Sequence, residues 1–356
     1  MTEQTTTTES TTAGPEAHRS RADGDGSAPR FGGRARLLVA TAAALALAAA
    51  AITYVQFAGG KAAKDAPVTV GKEVSLAPGP RLITLTGTGQ VTSASTRDPD
   101  EPRAVSDVKC DRIYAAAGTG ACLRADGVLG KVRLVLLDED LKEVDSIPVT
   151  GLPNRVRVSA SGRMVAWTLF VDGEGYAELD FSTRTGIWDT RTGERIDTLE
   201  GFEVTKDGKP LRTADMNFWG VTFTADDNRF YATLHADKRR YLVEGDFAAK
   251  TARVLKDVVE CPSLSPDGTR IAFKEAKKGD YTEGWRLSVL DLATMKVTHT
   301  AETRSVDDQA AWLDDDTLGY ALRRSDGTPD LWTVPADGSG APSLRMADAG
   351  SPAALG

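Results

Sequence analysis

The chain is 356 residues long and carries a formal charge of −8 at pH 7, with 34 glycines, 16 prolines and only 6% aromatic residues. That acidic balance argues against a nucleic-acid partner, because such binding relies on Lys and Arg neutralising phosphates. Turn-forming residues in this number, spread over a few hundred positions, fit one large domain of short strands able to bury a sizeable core.

Residues 1–36 are rich in Thr, Ser, Ala and Gly and nearly lack large apolar side chains. Such a segment cannot offset the entropy of ordering, so a disordered tail is expected. Asp23-Gly-Asp-Gly26 has the outline of a cation loop but lacks the other EF-hand ligands, which leaves a solvated turn. From Leu37 to Ala58 there are 22 residues without a charge, ten of them Ala. As a helix this run reaches roughly 33 Å, enough to cross the hydrocarbon core of a bilayer. Arg30, Arg34 and Arg36 precede it, and Lys61 and Lys64 follow. The positive-inside rule then places the tail in the cytoplasm and the remainder outside, as a single-pass protein of the cell membrane. A cleaved signal peptide is the alternative; an anchor is favoured because the run starts late and exceeds the usual signal-peptide core. Residues 59–73 read as a linker to a domain spanning 74–350.

The first strands of that domain are expected at 80–85 and 90–95, joined through Gly87-Thr-Gly89. Cys110 and Cys122 flank a strand that runs into a glycine turn, which brings the pair within reach of a disulfide in an oxidising compartment. Pairing of Cys261 with either of them stays open, the simplest reading of Cys261 being a buried small side chain. No Cys-x-x-Cys or His/Cys cluster surrounds any of the three, so no metal site is assigned. Residues 131–137 and 142–147 form the outer hairpin of the same unit.

A hairpin then recurs down the chain. Its clearest copy is Cys261-Pro-Ser-Leu-Ser-Pro-Asp-Gly-Thr-Arg-Ile-Ala-Phe-Lys274, with variants at Arg155 to Trp167, Val221 to Thr233 and Gln309 to Ala321. Pro presets φ, Asp bonds nearby backbone, and Gly or Asn tolerates positive φ. Alternation such as Ile271, Phe273 or Leu318, Tyr320 places one face in a core. Each copy is followed by a second hairpin with its own turn, as in Trp285 to Val297 and Ile187 to Ile196. Two hairpins make a four-stranded blade. The first-hairpin turns at Ser161, Asp226, Asp267 and Asp315 are 65, 41 and 48 residues apart, so one unit holds an insertion, around 202–217. The fold class is all-β: a propeller of about six four-stranded blades, preceded by the tail and one transmembrane helix. The strands at 331–334 and 343–346 are expected to close the ring beside the N-terminal ones, which removes exposed sheet edges.

These hairpins, most clearly Ser265-Pro-Asp-Gly-Thr-Arg-Ile-Ala-Phe273, resemble the blade repeats of the TolB-like propellers. With the apolar run and the Cys110 and Cys122 pair, the chain is also similar to single-pass envelope proteins of high-GC Gram-positive bacteria. Only about twenty residues separate the apolar run from the first strands, so the α/β domain that precedes the propeller of true TolB is missing. That envelope group has no established activity, and the resemblance transfers no catalytic residue.

Catalytic machinery is sparse. The three histidines are His18 in the tail, His235 at an expected hairpin tip and His299 on an outer strand, and no Gly-x-Ser-x-Gly elbow occurs. The carboxylate groups Asp226-Asp227, Asp307-Asp308 and Asp314-Asp-Asp316 are read as turn chemistry and solvation. In the loop from Asp172 to Asp180, alternate acidic residues are able to converge. Trp167, Trp188, Trp219, Trp285, Trp312 and Trp332 fall about one per unit, as expected of packing between blades. Trp219 follows the insertion, so a ligand groove is sought at Trp219 with Asp172 and Asp180. No catalytic residue and no cofactor are assigned. The expected function is a membrane-anchored extracytoplasmic scaffold that binds an envelope protein, peptide or glycan. The alternative is an extracytoplasmic hydrolase or lyase using carboxylates on the propeller face.

Overall fold

The computed structural model describes residues 73–98, 101–126, 131–171 and 182–356. The expected tail, apolar run and nearly all of the linker lie outside the described residues. Among the described residues no helix is long and apolar enough to cross a membrane.

Six antiparallel sheets stand around one axis. Blade 2 holds Arg112–Ala116, Thr119–Asp126, Lys131–Leu137 and Glu143–Val149, from the innermost strand outward. Blade 3 holds Leu152–Val158, Met164–Val171, Ser182–Asp189 and Arg195–Ile196. Blade 4 begins with Asn217–Phe223, Arg229–Ala236, Arg239–Asp246 and Thr251–Asp257. Blade 5 is Glu260–Leu264, Arg270–Ala276, Trp285–Asp291 and Val297–His299. Blade 6 is Ala311–Trp312, Thr317–Arg323, Pro329–Pro335 and Ser343–Met346.

Blade 1 corrects the expected closure. Arg81–Leu85, Gln90–Ser95 and Ala104–Lys109 are its second, third and outer strands, and its innermost strand is Gly350–Ala354 from the far end of the chain. The strands at 331–334 and 343–346 remain within blade 6. A single antiparallel pairing, Leu82 with Ala354 and Ile83 with Ala353, therefore closes the ring.

The insertion is also defined. Glu203–Lys206 and Lys209–Pro210 form a small hairpin whose first strand pairs parallel to the outer strand of blade 4, extending that sheet to six strands. Phe202 and Val204 anchor it in the core between blades 3 and 4. The insertion thus covers an outer sheet edge, a usual device against edge-to-edge pairing.

Both faces of each blade are buried, and consecutive residues of one strand serve different cores. Leu82 packs between blades 6 and 1, whereas Ile83 packs between blades 1 and 2. Ile271 and Phe273 face blade 4, and Ala272 faces blade 6. Trp167 and Trp188 fill the space between blades 2 and 3. Trp167 leaves no room at Gly186 opposite: a Cβ there would stand 2.2 Å from the indole and 2.7 Å from the Ile196 carbonyl oxygen. Gly186→Ala should therefore cost about 1–3 kcal/mol through overpacking. Thermal unfolding should show this as a Tm lower by roughly 2–4 °C for each kcal/mol.

Cys110 and Cys122 are joined by a disulfide across a 5.5 Å Cα separation, and Cys261 is a free, buried thiol. The bridge ties the crossing from blade 1 to the second strand of blade 2. In the chain-entropy account, closing so short a loop contributes about 3 kcal/mol. Unfolding in urea with and without reductant should show a loss of that order, and equal midpoints would refute it.

Candidate binding face

The strands of each blade alternate in direction, so two kinds of turn share one end of the ring: those after the innermost strand and those after the third. The repeated turns all lie there and are satisfied internally. Asp226 accepts from the Asn228 and Arg229 amides at 2.9 and 2.8 Å, Asp267 from the Thr269 amide, and Asp291 from the Thr294 amide. Asp227 and Gly268 supply the positive φ that these turns require. This face is architecture.

The opposite end carries the connections between second and third strands and between blades. There a cleft of about 1080 Å³ opens among blades 1, 2, 5 and 6. Its walls include Asp107, Asp111, Arg112, Asp307, Asp308 and Arg323.

Away from the cleft lining, three innermost strands are irregular. Register breaks fall between Pro153 and Arg155, between Trp219 and Thr222, and between Glu260 and Ser263, with positive φ at Gly220 and Cys261. Bulges of this kind re-aim backbone groups and side chains. The Asn154 carbonyl accepts from Arg112 Nε at 2.6 Å and from Arg155 Nη1 at 3.0 Å. The Pro262 and Val221 carbonyls accept from Gln309 Nε2 at 2.7 and 3.3 Å. Deeper on the axis, the Arg157 guanidinium stacks 4.2 Å from the Tyr114 ring centroid and reaches Ser263 Oγ at 3.4 Å. Side chains from blades 2, 3, 5 and 6 thus meet across the channel.

The carboxylates here are engaged. Asp307 pairs with Lys274. Burial alone would raise the Asp307 carboxyl, but Lys274, Arg155 and Arg112 together hold it below the ordinary range. Asp308 accepts from the Gln309 and Ala321 amides at 2.9 and 3.2 Å and lies 3.9 Å from Arg155. Asp307 is exposed, as its reading as a solvated group expects, Asp308 is half-buried, and both form part of the cleft wall. Arg112 is depressed to about 10, chiefly by burial and next by the charge of Arg155.

Beside the cleft, Lys274 leads to an aromatic shelf. Its Nζ sits 4.0 Å from the Trp285 ring centroid, and the Arg240 guanidinium lies 3.6 Å from that of Tyr281. Tyr281 is 45% exposed. Beneath the shelf, Glu260 is 3% exposed and stands 3.3 Å from Arg240. Burial pushes its carboxyl up to about 7.

Of the groove expected at Trp219, Asp172 and Asp180, only Trp219 lies among the described residues, and it does not line the cleft. Trp219 is 4% exposed in the innermost strand of blade 4, because the insertion is drawn outward by its pairing with the outer strand. Asp172 and Asp180 lie outside the described residues. His235 is a buried strand residue, 3.2 Å from Asp215, rather than an exposed tip. His299 is on the outer strand of blade 5, 3.0 Å from Glu275. Among the described residues no group of three or more His, Cys, Asp or Glu converges as metal ligands would. Sequence reasoning missed Arg112 and Arg155. The available signal was a charged residue within an innermost strand, as at Arg112, Arg155 and Glu260.

These features define a six-bladed β-propeller with a charged cleft on its connection face. TolB from Acinetobacter baumannii is similar in structure at a TM-score of 0.52 and 16% identity, covering 78% of this chain and 67% of that one. A putative TolB from Agrobacterium tumefaciens gives 0.45 and 12%, covering 76% and 90%. An oligogalacturonate lyase in complex with manganese gives 0.42 and 9%, covering 69% and 82%. No family model matches the chain, and no curated protein matches it in sequence. At these identities the likeness speaks for the fold alone.

Glu260 gives a pH test. Its folded-state value of about 7 lies above the ordinary carboxyl value of 4.5, so the folded state holds the extra proton between the two. Its effect on stability is absent below the lower value and becomes increasingly unfavourable as pH rises through 7. Glu260→Gln should therefore gain stability relative to the parent as pH is raised from 4.5 to 7.5. Urea unfolding across that range measures the difference, and a constant offset would rule the shift out.

Proposed function

We propose that this protein is a binding scaffold of the cell envelope, tethered by residues 37–58, whose connection face receives a protein, peptide or glycan partner. The observation that carries this reading is the engagement of the cleft's carboxylates. Asp307 and Asp308 are matched with Lys274, Arg155 and backbone amides, an arrangement suited to reversible polar contacts across an interface. The aromatic shelf at Tyr281 and Trp285 adds stacking area at the rim. The uncharged run supports the tether, and the Cys110–Cys122 bridge suits an oxidising compartment.

The hydrolase or lyase reading has one observation in its favour, the neutral-range carboxyl of Glu260, since catalytic acids are tuned in this way. Glu260 is buried under Arg240 and does not line the cleft, so a substrate there has no path to it. A fold that hosts both binding proteins and enzymes does not decide between them.

The test places a photo-crosslinking residue at Thr88 on the cleft and, separately, at Asp267 on the repeated-turn face, in the full-length chain in intact envelopes. A reproducible adduct from Thr88 and none from Asp267 is expected. Adducts from neither position, together with turnover of a glycan or peptide panel, would overturn the scaffold reading in favour of the enzyme.

A further inference from the structure

We infer that Arg112, flanked by Arg155 and Arg323, is a subsite for a carboxylate group of the ligand that the cleft admits. The inference rests on reading this face as a binding surface and specifies what it recognises.

Arg112 is the first residue of the innermost strand of blade 2 and lines the cleft near the axis. Its Nε is committed to the Asn154 carbonyl at 2.6 Å. Its two Nη groups have no hydrogen-bond or ion-pair partner among the described residues. A guanidinium fixed at Nε, with both terminal nitrogens open to a cleft, presents the fork that a carboxylate or phosphate engages in two parallel bonds. Arg155 is held against the same carbonyl, and its buried Nε is likewise unpartnered. Arg323 donates from Nη1 to the Gly327 carbonyl and contributes a third positive charge.

Three guanidiniums crowd one corner of a cleft whose lining carries Lys109, Arg112, Arg124 and Arg323 against Asp107, Asp111, Asp307 and Asp308. Asp308 lies 3.9 Å from Arg155 and also accepts two backbone amides, while Asp307 is matched by Lys274. The crowding of three guanidiniums beside one such carboxylate is visible in the depressed basicity of Arg112, to which Arg155 and Arg323 both contribute after burial. An anion seated between them relieves that repulsion. Asp107 and Asp111 on the same walls set the limit. A dianion such as phosphate would be repelled by them more strongly than a single carboxylate on a neutral or partly cationic ligand. Peptide termini and sugar acids share this chemistry.

The test uses the full-length chain labelled with 15N-arginine. The Arg112 Nε–H resonance is followed during titration with N-acetylglycine, N-acetylglycinamide, glucuronate, glucose and inorganic phosphate at constant ionic strength. Saturable shifts with N-acetylglycine or glucuronate, and none with the amide or glucose, are expected; the tighter of the two acids marks the source as peptide or sugar. Arg112→Gln should weaken the acid at least tenfold. Arg323→Gln, at an exposed position that does not threaten folding, should weaken it severalfold, and Arg191→Gln should leave it unchanged. Tighter binding of phosphate, or no saturation by either acid, overturns the inference. If the Thr88 crosslink forms and saturating N-acetylglycine does not reduce it, the subsite fails while the binding face stands. If N-acetylglycine saturates and no partner crosslinks, the scaffold reading fails and the subsite stands.

Discussion

Six innermost strands face one axis, and each presents there a strand edge with no further strand to pair with. Backbone groups buried in that position must find partners from side chains. The axis of this molecule is organised by that demand. Arg112 and Arg155 serve the Asn154 carbonyl, and Gln309 serves those of Val221 and Pro262. Trp312 Nε1 serves the Ser263 carbonyl at 2.9 Å. Amides are met by threonines: Cys261 N donates to Thr233 Oγ1 at 2.9 Å, and Leu264 N to Thr222 Oγ1 at 3.1 Å. The same side chains tie blades together across the ring, so satisfying the edge also fixes the relative position of the blades. Arg157 and Tyr114 stack within the channel, and the cleft opens at one mouth.

The two faces of the ring divide the work. On one, short turns close on their own carboxylates, so Asp226, Asp267 and Asp291 spend their charge on neighbouring amides. On the other, connections of unequal length bring residues distant in sequence to one place, such as Arg112, Asp307 and Arg323. Repetition stabilises the first face and would be useless on the second, where recognition needs groups that differ from blade to blade. The single pairing of Gly350–Ala354 with Arg81–Leu85 connects this to stability, because blade 1 supplies part of the cleft wall at Thr86 to Gly89.

What the sequence made legible follows from what was local. The Ser-Pro-Asp-Gly turn, the period-two strands and the glycine turn after Cys110 each depend on residues a few positions apart, so blades and the disulfide partners were readable. Ring closure depended on a strand, Gly350–Ala354, whose short run of small residues carries little β signal. The axial arginine contacts depended on a bulge, and a bulge leaves only a weak trace in sequence. Asn154 looked like an ordinary strand position, and nothing local indicates that its carbonyl leaves the ladder to collect two guanidiniums. His235 was misread because Asp237 and Lys238 looked like a solvent-exposed turn. The turn is instead pinned by Asp215, which accepts both of their amides and lies against the imidazole.

Trp219 illustrates a more general point about searching repeats for sites. A break in the period drew attention to the insertion, on the reasoning that function collects where architecture is interrupted. The insertion in fact completes architecture: it caps a sheet edge, and Phe202 packs edge-to-face on Phe230 at 5.9 Å. The functional irregularity is smaller and lies inside the repeat, one residue at a time, where innermost strands kink toward the axis. A propeller keeps its outer hairpins regular because inter-blade packing tolerates no slack, as Gly186 against Trp167 shows. The innermost strands give side chains to the same cores, but their free backbone edge faces the axis, where arginine side chains bond to it.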